Sequence, residues 1–95
     1  MSGHVFHPGH HELHGITVVL RTTDQQILVG RFDSVDAAGV RMLGVSAFDA
    51  ARDGTAPEFL ARTNKFGIRV DRPQVTINNA VVASITPLSA EPGTQ

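Results

Sequence analysis

The run Gly30-Arg31-Phe32-Asp33-Ser34-Val35-Asp36-Ala37-Ala38-Gly39-Val40-Arg41-Met42-Leu43 decides the fold. Its first half continues an alternation that starts at Ile27, with Leu28, Gly30 and Phe32 on one side and Ile27, Val29, Arg31 and Asp33 on the other. A period of two in β-branched and aromatic residues predicts a strand from Ile27 to about Val35. Gly30 has no side chain to pack, and in mid-strand this marks a bulge, a sharp bend or a close backbone approach. Asp36-Ala37-Ala38-Gly39 has the length of a hairpin turn, and Val40 to Phe48 returns as the next strand. Both faces of that strand, Val40/Met42/Gly44 and Arg41/Leu43/Val45, are largely apolar, as suits a strongly curved sheet whose inside is core and whose outside a neighbour partly covers.

Upstream, Ile16, Val18 and Leu20 alternate with Thr17, Val19 and Arg21, and Thr22 to Gln26 reads as a turn. Downstream, an insert at about 49–72 interrupts the strand pattern. Within it Thr55-Ala56-Pro57-Glu58 resembles a helix start, which predicts one or two helical turns. Alternation resumes at Phe66, Ile68 and Val70, breaks at Arg72-Pro73, and resumes at Val75 and Ile77. Asn78-Asn79 tolerates positive φ and marks a sharp reversal before a last strand from Val81 to Pro87. Five short strands without a long helix or a repeat predict an all-β protein, a small, strongly bent five-stranded barrel over residues 16–88. An SH3-like or an OB-type barrel has the same local pattern.

The 95 residues hold 8 Lys+Arg against 9 Asp+Glu and no cysteine. A chain of this size buries roughly 60–65% of its unfolded surface, so self-association is expected to add to its stability. The lack of cysteine excludes disulfides and thiolate metal sites and fits a reducing compartment. Apolar runs fall far short of the ~20 residues a membrane span needs, and the N-terminus lacks the basic-then-apolar order of a secretory signal. The expectation is a cytoplasmic protein with no membrane segment. Residues 1–15 form a flexible arm that carries all five histidines, and residues 89–95 read as a disordered polar tail. His7/His11 and His10/His14 stand at the i, i+4 spacing that lets two imidazoles share Zn²⁺ or Ni²⁺ on a helix, but Pro8-Gly9 breaks any helix there. The arm is therefore read as solvated, with no cofactor and no metal site. Asp33, Asp36, Asp49 and Asp53 have no accompanying nucleophile, and Ser46 and Ser84 lack a glycine-rich elbow, so no enzyme is expected.

The run from Gly30 to Leu43, together with Ile16, Val18 and Leu20, resembles the first motif of Sm-like proteins, a family that includes bacterial Hfq: Gly30-x-Phe32-x-x-x-Asp36, then Val40, Met42 and Leu43. Val75-Thr76-Ile77-Asn78-Asn79-Ala80-Val81-Val82-Ala83-Ser84-Ile85-Thr86-Pro87 is similar to the second motif, an apolar strand, a tight turn and a final strand. Two departures stand out. The base-reading asparagine that many such proteins place four residues after the motif aspartate is Val40 here, and the Arg-Gly or Lys-His of the second motif is Asn78-Asn79.

The resemblance implies a homo-oligomeric ring of five to seven copies. Val75 and Ile77 on one strand edge and Val81, Val82 and Ile85 on the other would form the interface. It implies RNA, or another polyanion, as a partner, bound through Asp36, Asn78 and Asn79. Arg41, Arg62, Arg69 and Arg72 would supply positive charge from the third strand and the insert; the other reading, which the composition favours, is a solvated loop whose charges balance Asp49, Asp53, Glu58 and Asp71. The alternative is an oligomeric scaffold whose insert captures a protein partner without nucleic acid.

Overall fold

A computed structural model describes residues 14–91. Five strands, β1 (Thr17–Thr22), β2 (Ile27–Asp36), β3 (Gly39–Ala47), β4 (Arg72–Ile77) and β5 (Val82–Pro87), form one antiparallel sheet in the order β4-β3-β2-β1-β5. Two helices, α1 (Ala50–Asp53) and α2 (Ala56–Phe66), lie between β3 and β4. Single 3₁₀ turns follow β4 (Asn79–Val81) and β5 (Leu88–Ala90). None of the helices in residues 14–91 is long and apolar enough to cross a membrane.

The expected bend at Gly30 is present. Arg31 pairs with Leu43 and Val29 with Ser46, so Gly30 stands opposite both Gly44 and Val45. Gly44 is in the left-handed region at φ +60°, as a bulge of this kind requires. A Cβ on Gly30 would stand 2.8 Å from Val45 Cγ2. A second bulge puts the extra residue, Asp33, in β2, and a third puts Ala83 in β5 opposite the step from Arg21 to Thr22. Each extra residue sharpens the local twist and bends the sheet toward itself.

That curvature makes two cores. Val18, Leu20, Leu28, Phe32, Val40, Met42 and Val45 fill the inside, with Val75, Ile77, Val82 and Ile85 packed against them. Val19 and Val29 face the other way, onto Phe59 and Leu60 of α2 and onto Leu88. The outer face, expected to be covered in part by a neighbour, is thus covered by the chain's own α2 and Leu88.

The insert is more helical than its sequence suggests. In place of one or two turns, α2 runs for eleven residues. The Thr55 side chain accepts from the Glu58 N–H while Glu58 accepts from the Thr55 N–H at 2.9 Å, a reciprocal cap that Pro57 in the first turn reinforces. Phe66, expected to resume a strand, is the last helical residue. β4 opens at Arg72-Pro73, the pair read as an interruption. Proline is tolerated there because β4 is an edge strand. Order also reaches past the expected boundary at Leu88: buried Glu91 receives a two-pronged ion pair from Arg21 and a hydrogen bond from the Thr86 hydroxyl.

Candidate nucleic-acid interface

The turn between β2 and β3 and the turn between β4 and β5 meet at one end of the sheet. Val40 pairs with Ile77, and the backbones approach so closely that a Cβ on Gly39 would lie 2.2 Å from the Ile77 carbonyl oxygen. Asn79 Nδ2 donates to the Asp36 carbonyl at 2.8 Å and clips the two turns together. The Asp36 carboxylate accepts from the Ala38 N–H, and Asn78 Oδ1 accepts from the Ala80 N–H, both at 2.8 Å. Each turn is thus held by its own polar side chain, as short Asx turns are. Those bonds use Asn79 Nδ2 and Asn78 Oδ1, one amide atom of each side chain. Asp36, Asn78 and Asn79 are all exposed.

The four arginines do not share this rim. Arg41, paired with Thr76 and Ser34, is two residues beyond Gly39 and the nearest of them; its Nε is buried without a hydrogen-bond partner among the described residues. Arg72 opens β4, five residues before Ile77, which places it roughly 17 Å away along an extended strand. Arg62 and Arg69 belong to a different assembly, an arginine clamp around Asp53.

The Asp53 side chain is fully buried and accepts from the Asp49 N–H, from Arg52 Nε and Nη2, and from Arg62 and Arg69 Nη2, at 2.9 to 3.3 Å. Arg52 also reaches the Ala47 carbonyl and Asp71, whose carboxylate accepts from the Ser46 hydroxyl and the Ala47 N–H. The hydrogen bond from Arg52 holds the Asp53 carboxyl far below its ordinary range, against the opposing effect of burial. Asp71 is lowered as well, first by the Ala47 N–H. These bonds fix α1, α2 and the segment 67–71 to the end of β3. The sequence reads these charges only as balancing one another in a solvated loop, and the burial of Asp53 and its sharing among Arg52, Arg62 and Arg69 are not foreseen. Asp53-Gly54 carries the mark of a turn, and its partners Arg62, on α2, and Arg69 stand 9 and 16 residues further along the chain.

Of the histidine candidates, His14 is exposed and its Nδ1 lies 2.6 Å from the Asp33 carbonyl oxygen. His7, His10 and His11 lie outside the described residues. Among the described residues no group of three metal-ligating side chains forms.

The apolar residues expected at the interface lie on the two edge strands of the sheet or beside them. Val75, Ile77, Val82 and Ile85 are half-buried against the inner core, and Val81 is exposed. The outer edges of β4 and β5 have no partner strand among the described residues.

The architecture is an Sm fold. It superposes on a heptameric archaeal Sm protein with a TM-score of 0.57 at 14% identity, covering 82% of this chain and 93% of that one. The SmAP1 heptamer of Pyrobaculum aerophilum gives the same score and identity over 82% of this chain and 85% of its own. A further Sm-like protein of that archaeon matches with a TM-score of 0.54 at 15% identity over 82% of this chain and 47% of its own length. No family model and no curated protein matches the sequence.

Proposed function

We propose that the chain is the repeating unit of a homo-oligomeric ring whose rim, formed by Asp36, Asn78 and Asn79 of each copy, binds single-stranded RNA. The juxtaposition of the two turns by the Asn79–Asp36 bond carries this reading, because it gathers the residues of two distant motifs at one place. The ring rests on the two unpartnered edges: β4 of one copy can pair with β5 of the next, a head-to-tail contact that closes when the rotation divides the circle. The heptameric assemblies of the two archaeal proteins support the same arrangement. Neutral amides would read bases, and Arg41 would supply charge for phosphate, with few counterions released per copy.

Light scattering at micromolar protein is expected to give five to seven times the 10.1 kDa chain mass. A mass of one chain overturns the ring. Filter binding of U-rich and A-rich oligonucleotides at two salt concentrations then tests the rim. Binding that weakens in the Asn78→Ala, Asn79→Ala double variant is expected; no binding up to tens of micromolar overturns the RNA reading and leaves a protein-binding scaffold.

A further inference from the structure

The arginine clamp borders a half-open hollow of about 380 Å³, within the size range of small-molecule sites. Its walls are of two kinds. Phe59 and Ile68 give an apolar floor, and Phe66 stands at its edge with a ring that is 74% exposed, an unusual placement for so large an apolar group. Arg62, on the same face of α2 as Phe59 and Phe66, and Arg69 also line it, and their side chains remain about half exposed (47% and 53%). Each spends one Nη2 on Asp53, and Arg69 Nε also faces Asp71 at 3.6 Å. Arg62 Nε and Nη1 and Arg69 Nη1 meet no acceptor among the described residues. Arg52, Arg62 and Arg69 share Asp53 and Asp71, Glu58 also acts on Arg62 and Asp49 on Arg52, and Asp53 is sealed beneath its donors. What the hollow offers an anion is therefore a set of N–H donors on half-exposed planar groups already held in place, which lowers the ordering cost of binding. Lys65 Nζ, 5.3 Å from the centre of the Phe66 ring, adds to this set.

We propose that this hollow binds a small organic anion made of a flat ring that carries a phosphate or carboxylate, with a nucleoside monophosphate as its natural size. The ring would stack on Phe66, and the anionic group would bridge Arg62 and Arg69 in the forked geometry guanidinium favours. The site is separate from the turn rim, and its failure is distinguishable from failure of the RNA reading because Asn79→Ala should leave it intact.

Calorimetric titration of the full chain with AMP, UMP, benzoate, adenosine and inorganic phosphate tests it. AMP or UMP is expected to bind with Kd below about 1 mM, and both Phe66→Ala and Arg62→Gln to weaken it about tenfold. Phe66 contributes little to the fold, so that variant stays informative if Arg62→Gln unfolds. Benzoate as the only binder would keep the class and assign the anion as a carboxylate. Adenosine or inorganic phosphate binding as tightly as AMP, no heat with any probe up to about 10 mM, or a Phe66→Ala protein that binds unchanged overturns the proposal.

Discussion

At the turn rim, position is set by neutral groups and close backbone approach; in the insert, it is set by charge. The rim is held by one amide-to-carbonyl bond and by the lack of a side chain at Gly39. The clamp is held by a buried carboxylate that gathers three guanidiniums from α1, α2 and the segment before β4. The contrast teaches that a count of basic residues does not show which of them are free to meet a ligand. Arg62 and Arg69 add to the basic composition of the insert, yet their first partner is Asp53. The rim, which looks poor in charge, is where the two motif turns meet.

The strongest way to break the comparison is at Gly39. With φ at +138° and the Ile77 carbonyl oxygen 2.2 Å from where a Cβ would stand, Gly39→Val must separate the turns or strain the hairpin. A loss of about 3 kcal/mol or more in urea unfolding is expected, with strand content reduced in what remains folded. An unchanged midpoint would show that the rim is looser than this geometry requires.

Asp53→Asn attacks the other region. It removes the shared counter-charge and leaves three guanidiniums facing one another, so the melting temperature at pH 7 is expected to fall by roughly 10 °C. The sign with pH follows from the lowered carboxyl. The ionised Asp53 stabilises the fold fully above about pH 4, the ordinary carboxylate value, and this contribution is lost as pH falls below it. The gap between wild type and variant should therefore narrow in acid. A gap constant from about pH 7 to about pH 2 would count against the clamp as an ionic device.

Asn79→Ala has the smallest effect, about 1 kcal/mol for one exposed hydrogen bond, read as a shift in the urea midpoint. Because Gly39 and the strand pairing persist, the two turns should stay adjacent. A loss as large as that from Gly39→Val would mean the amide, and not the close approach, holds the rim.

Much of the barrel was legible because its information is local. Period-two alternation placed β1 and β2 and marked Val75 and Ile77 of β4, though it also read Phe66 as strand and Arg72-Pro73 as a break. Gly30 announced the bulge opposite it at Gly44. The second motif marked the turn at Asn78-Asn79 that separates β4 from β5. The helical insert was less so: the Thr55/Glu58 cap is visible in sequence, but α2 gains its length from Phe59 and Leu60 packing on Val19 and Val29, residues about thirty or more positions away. Tertiary packing of this kind supplies most helical stability and leaves little local trace. The clamp was illegible for the same reason. Asp53 looks like a turn residue until the fold brings Arg62, Arg69 and Asp71 around it.

The three bulges have a consequence for number as well as for shape. Each adds one residue to one strand only, and in the proposed ring they would bear on the angle between the free edge of β4 and the free edge of β5. In a closed ring that angle is the copy number: six subunits require about 60° between neighbours and seven about 51°. Stoichiometry would then be written as single-residue insertions at Asp33, Gly44 and Ala83, and removing one of them would change how many chains complete the circle before it would change what each chain is.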